Sequence, residues 1–242
     1  MNLDLREKTI FVTGGTSVLG ERVVSLCVKN GATVLFTYHK NSEKAQSLID
    51  LGASGMQLDL SDRGACREIK KRIKEKTATL DLFIHAAAVI CDKTVAKLQE
   101  DEWDYVVAVD LAHVATLTKS VLPLLYKARQ GKILFITSQV GLHGAVGQAN
   151  YAAAKGGLIA MTKSLAKELG RKKLLVNALN PGFMDSPMTR AVPDAVRQEN
   201  VQRSCLSSMC DPEEVARFIV YYASDYIATV SGQVFSFDSR IY

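Results

Sequence analysis

Short runs of β-branched and aromatic residues alternate with longer amphipathic stretches along almost the whole chain, and no other feature constrains the fold as strongly. Six runs predict buried strands and a seventh, SGMQLDL, predicts a weaker one; the six are KTIFVT, TVLFTY, LDLFIHA, KILFIT, LLVNAL and GQVFSF. Helical patterns lie between them at 19–30, 42–51, 62–76, 103–126, 150–169 and 213–223. Because strands that alternate with helices pair in parallel, the sequence predicts an α/β fold, with a mainly parallel seven-stranded sheet and helices on both faces.

The composition indicates one domain. The chain has 242 residues, of which 48% are apolar and 23% charged, and no Pro-, Ser- or Gly-rich tract indicates a linker. The first segment mixes acidic and basic residues, unlike a signal peptide, and no uninterrupted apolar stretch is long enough to span a bilayer. We therefore expect a single cytoplasmic domain over 1–242 with no membrane partner.

The cysteines indicate neither disulfides nor a metal site. They are odd in number and lack CxxC pairs or histidines at metal spacing; they are Cys27, Cys66, Cys91, Cys205 and Cys210. We expect reduced thiols and no metal.

Basic residues cluster at 70–76, 127–129 and 171–173, and the net charge is +5. These clusters are either solvated helix faces or a docking surface for an acidic partner. Aromatic residues are sparse near them and no recognition motif accompanies them, so no nucleic-acid partner is predicted.

A glycine-rich turn, TGGTSVLG at 13–20, follows the first strand and opens the first long helix. Glycines let the backbone approach a pyrophosphate, and the helix N-terminus offers free N–H groups and a positive dipole end. In this order of strand, turn and helix, the motif predicts a dinucleotide site; a tight connection without a ligand is the alternative.

The segment after the second strand, YHKNSEK, indicates which dinucleotide fits. A site for NADH usually places an acidic residue after this strand to bind the ribose hydroxyls, and none stands there. His39, Lys40 and Ser42 instead offer donors suited to a 2′-phosphate. NADPH is therefore predicted over NADH.

Asp59 lies at the end of the third predicted strand and has two interpretations. Its carboxylate is placed to accept a hydrogen bond from an adenine amino group. Alternatively, it caps the next helix together with Ser61 and Asp62.

A serine, a tyrosine and a lysine form the predicted catalytic group. Ser138 stands just past a strand, Tyr151 follows thirteen residues later, and Lys155 lies one helical turn beyond the tyrosine on the same helix face. A nearby ammonium and a cationic nicotinamide both favour the phenolate form of a tyrosine. Tyr151 is thus predicted to exchange a proton with a carbonyl oxygen, Ser138 to hold that oxygen, and Lys155 to bind the nicotinamide ribose and lower the tyrosine pKa.

These motifs resemble the short-chain dehydrogenase/reductase family essentially from end to end. The resemblance rests on Thr13, Gly14 and Gly20, on Ser138, and on YAAAK and NPGFMDSPMT. Within the family, GQANYAAAKGGLIAMTKSLAKEL and VNALNPGF are most similar to bacterial 3-oxoacyl-[acyl-carrier-protein] reductases. That resemblance implies a Rossmann-type doubly wound subunit, usually a homotetramer, that reduces β-keto thioesters with NADPH.

The resemblance also divides the domain into a cofactor-binding half at about 1–130 and a catalytic and substrate half at about 131–242, with a lid at about 184–210. Besides Tyr151 and Lys155, it completes a set of predicted cofactor contacts: Thr13, Gly14, Gly15, Thr16, Ser17, Val18, Leu19, Gly20, His39, Lys40, Ser42, Asp59, Leu60, Ala86, Ala87, Pro181, Gly182, Met184 and Ser186. Ser186 supplies the hydroxyl where the family commonly has threonine. In the reductases, basic residues beside the active-site mouth dock the acidic carrier protein, and Arg129 and Lys172 are the corresponding candidates here.

The sequence departs from the family pattern in four places. Val18 replaces the central glycine of the turn, HAAA at 85–88 replaces NNAG, and DSR at 238–240 replaces DGG. Asp110 stands where the catalytic tetrad has asparagine and is the predicted fourth member. His85 is expected to replace one hydrogen bond of the lost amides, a structural role rather than a catalytic one.

Two hypotheses follow. The first is an NADPH-dependent carbonyl reductase, with a 3-oxoacyl thioester or another ketone of a specialised pathway as substrate. The second is a nucleotide-binding scaffold subunit with little catalysis. Val18, HAAA and Asp110 favour it, and the intact Ser138, Tyr151 and Lys155 oppose it.

Overall fold

All seven predicted strands are present in the computed structural model, which describes residues 3–240. They form one sheet in the order β3-β2-β1-β4-β5-β6-β7, and every pairing is parallel. The strands are β1 (Thr9–Thr13), β2 (Thr33–Tyr38), β3 (Ser54–Gln57), β4 (Leu82–His85), β5 (Lys132–Ile136), β6 (Leu175–Asn180) and β7 (Val234–Ser236). The predicted domain limits at 1 and 242 lie outside the described residues.

All six predicted helical segments form helices, and four further helical elements occur at 140–143, 170–172, 187–190 and 194–202. The α-helices are α1 (Val18–Lys29), α2 (Ser42–Asp50), α3 (Arg63–Lys74), α4 (Glu100–Val107), α5 (His113–Leu125), α6 (Val140–His143), α7 (Ala149–Leu169), α8 (Pro187–Arg190), α9 (Asp194–Gln202) and α10 (Pro212–Ala223). A π-helix at Ala108–Ala112 joins α4 to α5, and a 3-10 turn at Gly170–Lys172 follows α7. Four of the helices are preceded by N-cap residues whose side chains each accept a backbone N–H that the helix leaves unpaired: Ser17, Asn41, Asp62 and Asp211.

The strands bury both of their faces, which explains why they read as continuous apolar runs. In β1, Ile10 and Val12 point to a core shared with α1, α2 and α10, whereas Phe11 points to a core shared with α3, α5 and α7. Phe83 stacks on Phe11 with ring centroids 5.5 Å apart in the second core. The sheet is therefore covered by helices on both faces, as predicted.

The helical segment 100–125 is long and apolar enough, by length and composition alone, to cross a membrane. Its most apolar window has a mean hydropathy of 1.3, and 44% of that window is buried in the fold. Val114, Leu117 and Val121 pack into the core beside α3 and the sheet. The segment thus has the contacts of a core helix, and its buried face accounts for its apolar character.

The order in which strands are added to the sheet reverses between β1 and β4. These two strands are neighbours, although β2 and β3 lie between them in sequence. In doubly wound sheets, ligands bind beyond the carboxyl ends of the strands at this point. The turn after β1 and the segment after β4 come together there, and their side chains form the candidate site.

Candidate active site

A cleft of about 310 Å³ opens at the carboxyl ends of β1, β2 and β4. It brings together the glycine turn, the segment after β2, the end of β3 and the segment after β4, although these lie far apart in sequence. The lining residues are Gly14, Thr16, Ser17, Thr37, Tyr38, His39, Lys40, Asn41, Leu58, Asp59, Leu60, Ala87, Ala88, Val89, Tyr105 and Val109.

The glycine turn is packed so closely that two of its positions have no room for a side chain. Gly14 has φ of 69°, and a Cβ there would lie 2.7 Å from the backbone of Ala87. A Cβ on Gly20 would lie 2.2 Å from the Gly14 carbonyl oxygen. Ser17 is the N-cap of α1, and its hydroxyl accepts the N–H of Gly20 at 3.1 Å. The turn therefore holds the N-terminus of α1 against the cleft, which is the geometry that favours an anionic group.

Val18, one of the departures, is the first residue of α1 and is partly buried. It does not line the cleft, whereas its neighbour Ser17 does. The valine side chain therefore leaves the cleft open.

The far end of the cleft is polar. His39, Lys40 and Asn41 line it after β2, and all three are exposed. Ser42 begins α2 and is not among the cleft-lining residues, while Asn41 caps that helix by accepting the N–H of Lys44. Two donors of the predicted three therefore face the cleft, and an asparagine lies between them and the helix.

Asp59 lines the cleft and is not the cap of α3. Its Oδ1 accepts both the N–H and the hydroxyl of Ser61 at 2.8 Å, while Asp62 caps the helix. The Ser61 N–H holds the pKa of Asp59 below its ordinary value. The other oxygen, Oδ2, lies 3.5 Å from His39 Nε2, so a carboxylate and an imidazole face each other at this end of the cleft.

Several lining residues were missed from sequence. Tyr105 lies on α4 and Val109 on the π-helix, and Thr37 is the second-to-last residue of β2. Tyr105 and Val109 could have been found only from the fold, because in sequence they form part of an ordinary amphipathic helical pattern. Tyr105 is 43% exposed and forms one wall with Leu60 and Val89.

The catalytic candidates meet at the carboxyl edge of the sheet. Ser138 follows β5 and is half-buried, whereas Tyr151 and Lys155, both on α7, are buried. The Ser138 hydroxyl is near enough to the Tyr151 phenol to lower its pKa. Lys155 Nζ lies 5.4 Å from the centroid of the tyrosine ring and donates to the carbonyl oxygen of Ile136 at 3.3 Å. Strand end and helix face thus bring the three residues together as their spacing predicts.

Burial shapes the electrostatics of this group. Burial raises the pKa of Tyr151, the Lys155 ammonium lowers it, and the Asp110 carboxylate raises it again. The net direction is upward. Lys155 lowers the tyrosine pKa as predicted, but burial, which the sequence did not reveal, outweighs that effect in the protein without a ligand.

Asp110 is directed at Lys155 by the π-helix between α4 and α5. Such one-turn bulges commonly occur at functional sites, because the extra residue re-aims a side chain. Asp110 is fully buried, its Oδ2 lies 3.2 Å from Lys155 Nζ, and its Oδ1 accepts the N–H of Val89 at 2.9 Å. The side chain of Asp110 therefore joins the group formed by Ser138, Tyr151 and Lys155.

His85 ends β4 and is also fully buried. Its Nδ1 lies 2.8 Å from the Thr13 hydroxyl, so it bonds the ends of β4 and β1, while its Nε2 has no hydrogen-bond partner among the described residues. Burial, reinforced by the Lys155 charge, lowers the pKa of His85 to about 3. The neutral imidazole thus makes the structural hydrogen bond that was predicted for it.

The segment after β6 forms the other side of the mouth. Pro181 is buried, and Gly182 has φ of 78°; a Cβ there would lie 2.9 Å from the Phe237 carbonyl oxygen. Ser186 is the N-cap of α8, where its hydroxyl accepts the N–H of Thr189 at 3.2 Å. The predicted cofactor hydroxyl is thus engaged in a helix cap in this structure.

The predicted lid, 184–210, contains α8 and α9 and is mostly exposed. Met184 pairs with Cys210 in a short bridge that joins its two ends. Cys205 is exposed, whereas Met209 and Cys210 are partly buried, so of the three only Cys210 packs against the core.

The DSR segment closes onto the base of this lid. The Arg240 guanidinium forms a fork with Asp238, contacts Asn200 of α9, and lies 5.1 Å from the Phe183 ring. The family's glycines could not make these contacts.

The basic residues predicted to dock a carrier protein lie elsewhere. Arg129 comes three residues before β5 and Lys172 three residues before β6, so both stand at the amino ends of the strands. Ser138 and Tyr151 stand at the carboxyl edge. Within one protomer, Arg129 and Lys172 therefore do not flank the active-site mouth. A separate surface groove of about 540 Å³ runs along α3 and is lined only by charged residues of that segment.

Comparisons with known proteins agree with this geometry. The family model described as Enoyl-(Acyl carrier protein) reductase matches residues 14–239. The 3-oxoacyl-[acyl-carrier-protein] reductase FabG of Thermotoga maritima is 35% identical over 98% of both chains, and that of Escherichia coli K12 is 30% identical over 99% of both. A solved structure, the Pseudomonas aeruginosa RhlG/NADP active-site complex, has the same fold, with a TM-score of 0.90, 24% identity, and coverage of 98% of this chain and 97% of that one. The chain belongs to the short-chain dehydrogenase/reductase family of nicotinamide-dependent oxidoreductases.

Proposed function

We propose that the protein reduces the ketone of a 3-oxoacyl thioester to a 3-hydroxyacyl product with NADPH. The observation that carries the proposal is the meeting of Ser138, Tyr151 and Lys155 at the carboxyl edge of the sheet, beside a cleft that has a dinucleotide turn. The relatives that cover the whole chain are named as 3-oxoacyl-[acyl-carrier-protein] reductases, which supports this substrate class.

The cleft fits a dinucleotide. A Cβ on Gly14 or Gly20 would collide with the backbone of the turn or of Ala87, so only glycine allows this close turn, and the turn sets the N-terminus of α1 against the cleft. The turn from Thr13 to Gly20 would hold the pyrophosphate, Asp59 and Leu60 the adenine, and Ala86 and Ala87 the central part of the cofactor. When bound, NADPH supplies the hydride that the carbonyl carbon gains.

The side chains of the chain perform the rest of the reaction. Ser138 donates a hydrogen bond to the substrate carbonyl oxygen and orients it toward Tyr151. The phenol donates its proton to that oxygen as negative charge develops there. Lys155 stabilises the resulting phenolate, because its ammonium lies 5.4 Å from the ring centroid in a buried site. The same ammonium would bind the nicotinamide ribose.

The polar end of the cleft supports the preference for NADPH. His39 and Lys40 are exposed donors that face the position after β2, and no acidic residue follows the strand there directly. Asp59 is the nearby anion, and His39 Nε2 lies 3.5 Å from its Oδ2. A 2′-phosphate would find two donors here, whereas the ribose hydroxyls of NADH would find no acidic residue directly after β2.

Pro181, Gly182 and Met184 would line the nicotinamide pocket, and the lid at about 184–210 would close over the acyl chain. For the Ser186 hydroxyl to reach the nicotinamide amide, the cap of α8 would have to open, because that hydroxyl now bonds Thr189. We propose that the lid rearranges in this way when the cofactor binds.

An acyl carrier protein remains our proposed carrier, and a homotetramer our proposed assembly. Arg129 and Lys172 are exposed cations suited to an acidic surface, and charges of this kind act mainly through steering. Because they lie at the sheet edge opposite to their own active site, a carrier bound there would serve the site of another subunit. Catalysis is proposed to take place in the cytoplasm, where the free cysteines stay reduced.

The test is NADPH oxidation with a short 3-oxoacyl thioester, beside NADH, for the wild-type protein and Tyr151→Phe. The variant removes the proton donor with little change of shape and is expected to lose at least about a hundredfold in kcat with NADPH binding retained. Tyr221→Phe, a partly exposed tyrosine on α10, is the matched control and should keep the activity.

Three outcomes are informative. Turnover that collapses only in Tyr151→Phe supports the proposal, and weaker turnover with NADH supports the NADPH preference. Turnover that survives Tyr151→Phe contradicts the assigned proton donor. Tight NADPH binding without turnover on any of a series of ketones would instead support the scaffold hypothesis.

A further inference from the structure

A fully buried pair of opposite charges lies next to the proposed proton donor. Asp110 Oδ2 and Lys155 Nζ are 3.2 Å apart, and the two side chains are 0% and 2% exposed. The π-helix turns the carboxylate inward, and the N–H of Val89 binds its second oxygen at 2.9 Å. The carboxylate is thus held in one orientation by an independent contact, as a built feature of the site would be.

We propose that the Asp110 carboxylate is the internal counter-ion of Lys155 and keeps Tyr151 in its protonated, proton-donating form. Asp110 is a positioning residue, because it acts on the tyrosine through the lysine and through its own charge. The proposal rests on the proposed function for its kinetic consequence, but the pair itself is testable without turnover.

Burial raises the pKa of Asp110, while the Lys155 ammonium and the Val89 N–H draw it toward the carboxylate form. Lys155 is drawn toward its charged form by Asp110 and by Tyr151, which raises its pKa even though burial alone would lower it. His85 is held neutral by burial and contributes no charge. Asp92, across the mouth, acts on Tyr151 in the same sense as Asp110.

Tyr105 faces the pair from α4, and its pKa is raised by burial and by the carboxylates of Asp59 and Asp110. It therefore stays a neutral phenol. The only cation acting on Tyr151 in this part of the described structure is then Lys155, and Asp110 balances it.

The consequence concerns the direction of the reaction. A tyrosine that donates a proton must carry one at the working pH, whereas a tyrosine that abstracts a proton must lack it. An amide at position 110 would leave the Lys155 charge unbalanced and favour phenolate. A carboxylate there favours the phenol, so the site can act as a proton donor over a wider alkaline range. We infer that the site is tuned for reduction.

The test is the ultraviolet titration of tyrosine in the full chain without ligand. Subtracting the titration of Tyr151→Phe from that of the wild type isolates the phenol of interest. In the Asp110→Asn background, the same subtraction is expected to give a midpoint lower by about one pH unit or more. Asp104→Asn removes an exposed carboxylate from the same helical segment and serves as the matched control, with an unchanged midpoint.

An unchanged or higher midpoint in Asp110→Asn would overturn the proposal. So would an equal downward shift in Asp104→Asn, because it would show a general charge effect. Neither result depends on the substrate, so failure of this proposal is distinguishable from failure of the proposed function.

Asp110→Asn leaves Lys155 as an unpaired buried charge and can reduce stability. The double variant Asp110→Asn, Lys155→Met removes both charges and therefore tests the pairing even if Asp110→Asn alone is too unstable for the tyrosine titration. If the pair exists, the double variant unfolds at a higher urea concentration than Asp110→Asn alone. If it unfolds at the same concentration or lower, the two residues are not coupled and the proposal fails.

Discussion

Replacing His85 by asparagine should remove much of the protein's sensitivity to mild acid. His85 is fully buried at the end of β4, and burial, with the Lys155 charge, lowers its pKa from 6.5 to about 3. The folded protein therefore holds His85 neutral down to about pH 3, whereas the unfolded chain takes up a proton below about pH 6.5. Since the unfolded state binds more protons in this window, the free energy of unfolding falls as the pH falls through it.

The size of the effect follows from the two pKa values. At 1.36 kcal/mol per pH unit, the shift from 6.5 to about 3 corresponds to a loss of about 5 kcal/mol once the window has been crossed. At about pH 4.5, two units below the unfolded value, the loss is about 3 kcal/mol. That loss should move the midpoint of urea unfolding down by on the order of 1 M.

The assay is urea unfolding, followed by circular dichroism, at a series of pH values from about 7 to 4. Asparagine at position 85 can still accept a hydrogen bond from Thr13 but cannot titrate. The midpoint of His85→Asn should therefore fall less with acid than that of the wild type. His39→Asn, at an exposed histidine, is the control and should follow the wild type. Parallel curves for His85→Asn and the wild type would refute the reasoning.

Two further variants test the turn and the lid. Gly20→Ala places a Cβ 2.2 Å from the Gly14 carbonyl oxygen. Thermal unfolding should therefore show a loss of about 1–3 kcal/mol in stability, and a fluorescence titration should show weaker NADPH binding. Gly170→Ala, where a Cβ meets nothing within 4 Å, is the control and should change neither quantity. Arg240→Ala leaves Asp238, whose side chain is 2% exposed, without its guanidinium partner, and it removes the contact with Asn200 of α9. Urea unfolding should therefore show a loss of about 3 kcal/mol in stability, and the KM for the thioester should rise. An Arg240→Ala protein as stable as the wild type would contradict the assigned contacts.

The sheet could be predicted because its strands are buried on both faces. TVLFTY and KILFIT are continuous apolar runs that only a central parallel strand can accommodate, and each is followed by a residue of the site. The meeting of Ser138 with Tyr151 was predictable for the same reason: one residue ends a strand, and the other lies near the start of the next long helix.

Features set by one extra residue or by a single side-chain contact were not predictable. The π-helix at 108–112 reads in sequence as part of a regular helix, since its composition is ordinary and only its hydrogen-bond register differs. The two interpretations of Asp59 differed only in which carboxylate caps α3, and both carboxylates precede the helix. Tyr105 reaches the cleft because α4 crosses above it, which depends on the packing of the whole domain.

The buried departures from the family pattern are matched to one another, which bears on the choice between enzyme and scaffold. A carboxylate introduced at random into a dry interior would be an uncompensated charge, which is among the most costly single changes. Asp110 instead has an ammonium 3.2 Å from one oxygen and an amide N–H 2.9 Å from the other. His85 likewise keeps a hydrogen bond to Thr13 and stays neutral beside Lys155, so it adds no second positive charge there. A site that had lost its function would have no reason to keep these charges balanced around Tyr151, so the pattern favours an enzyme with an altered proton affinity over a scaffold.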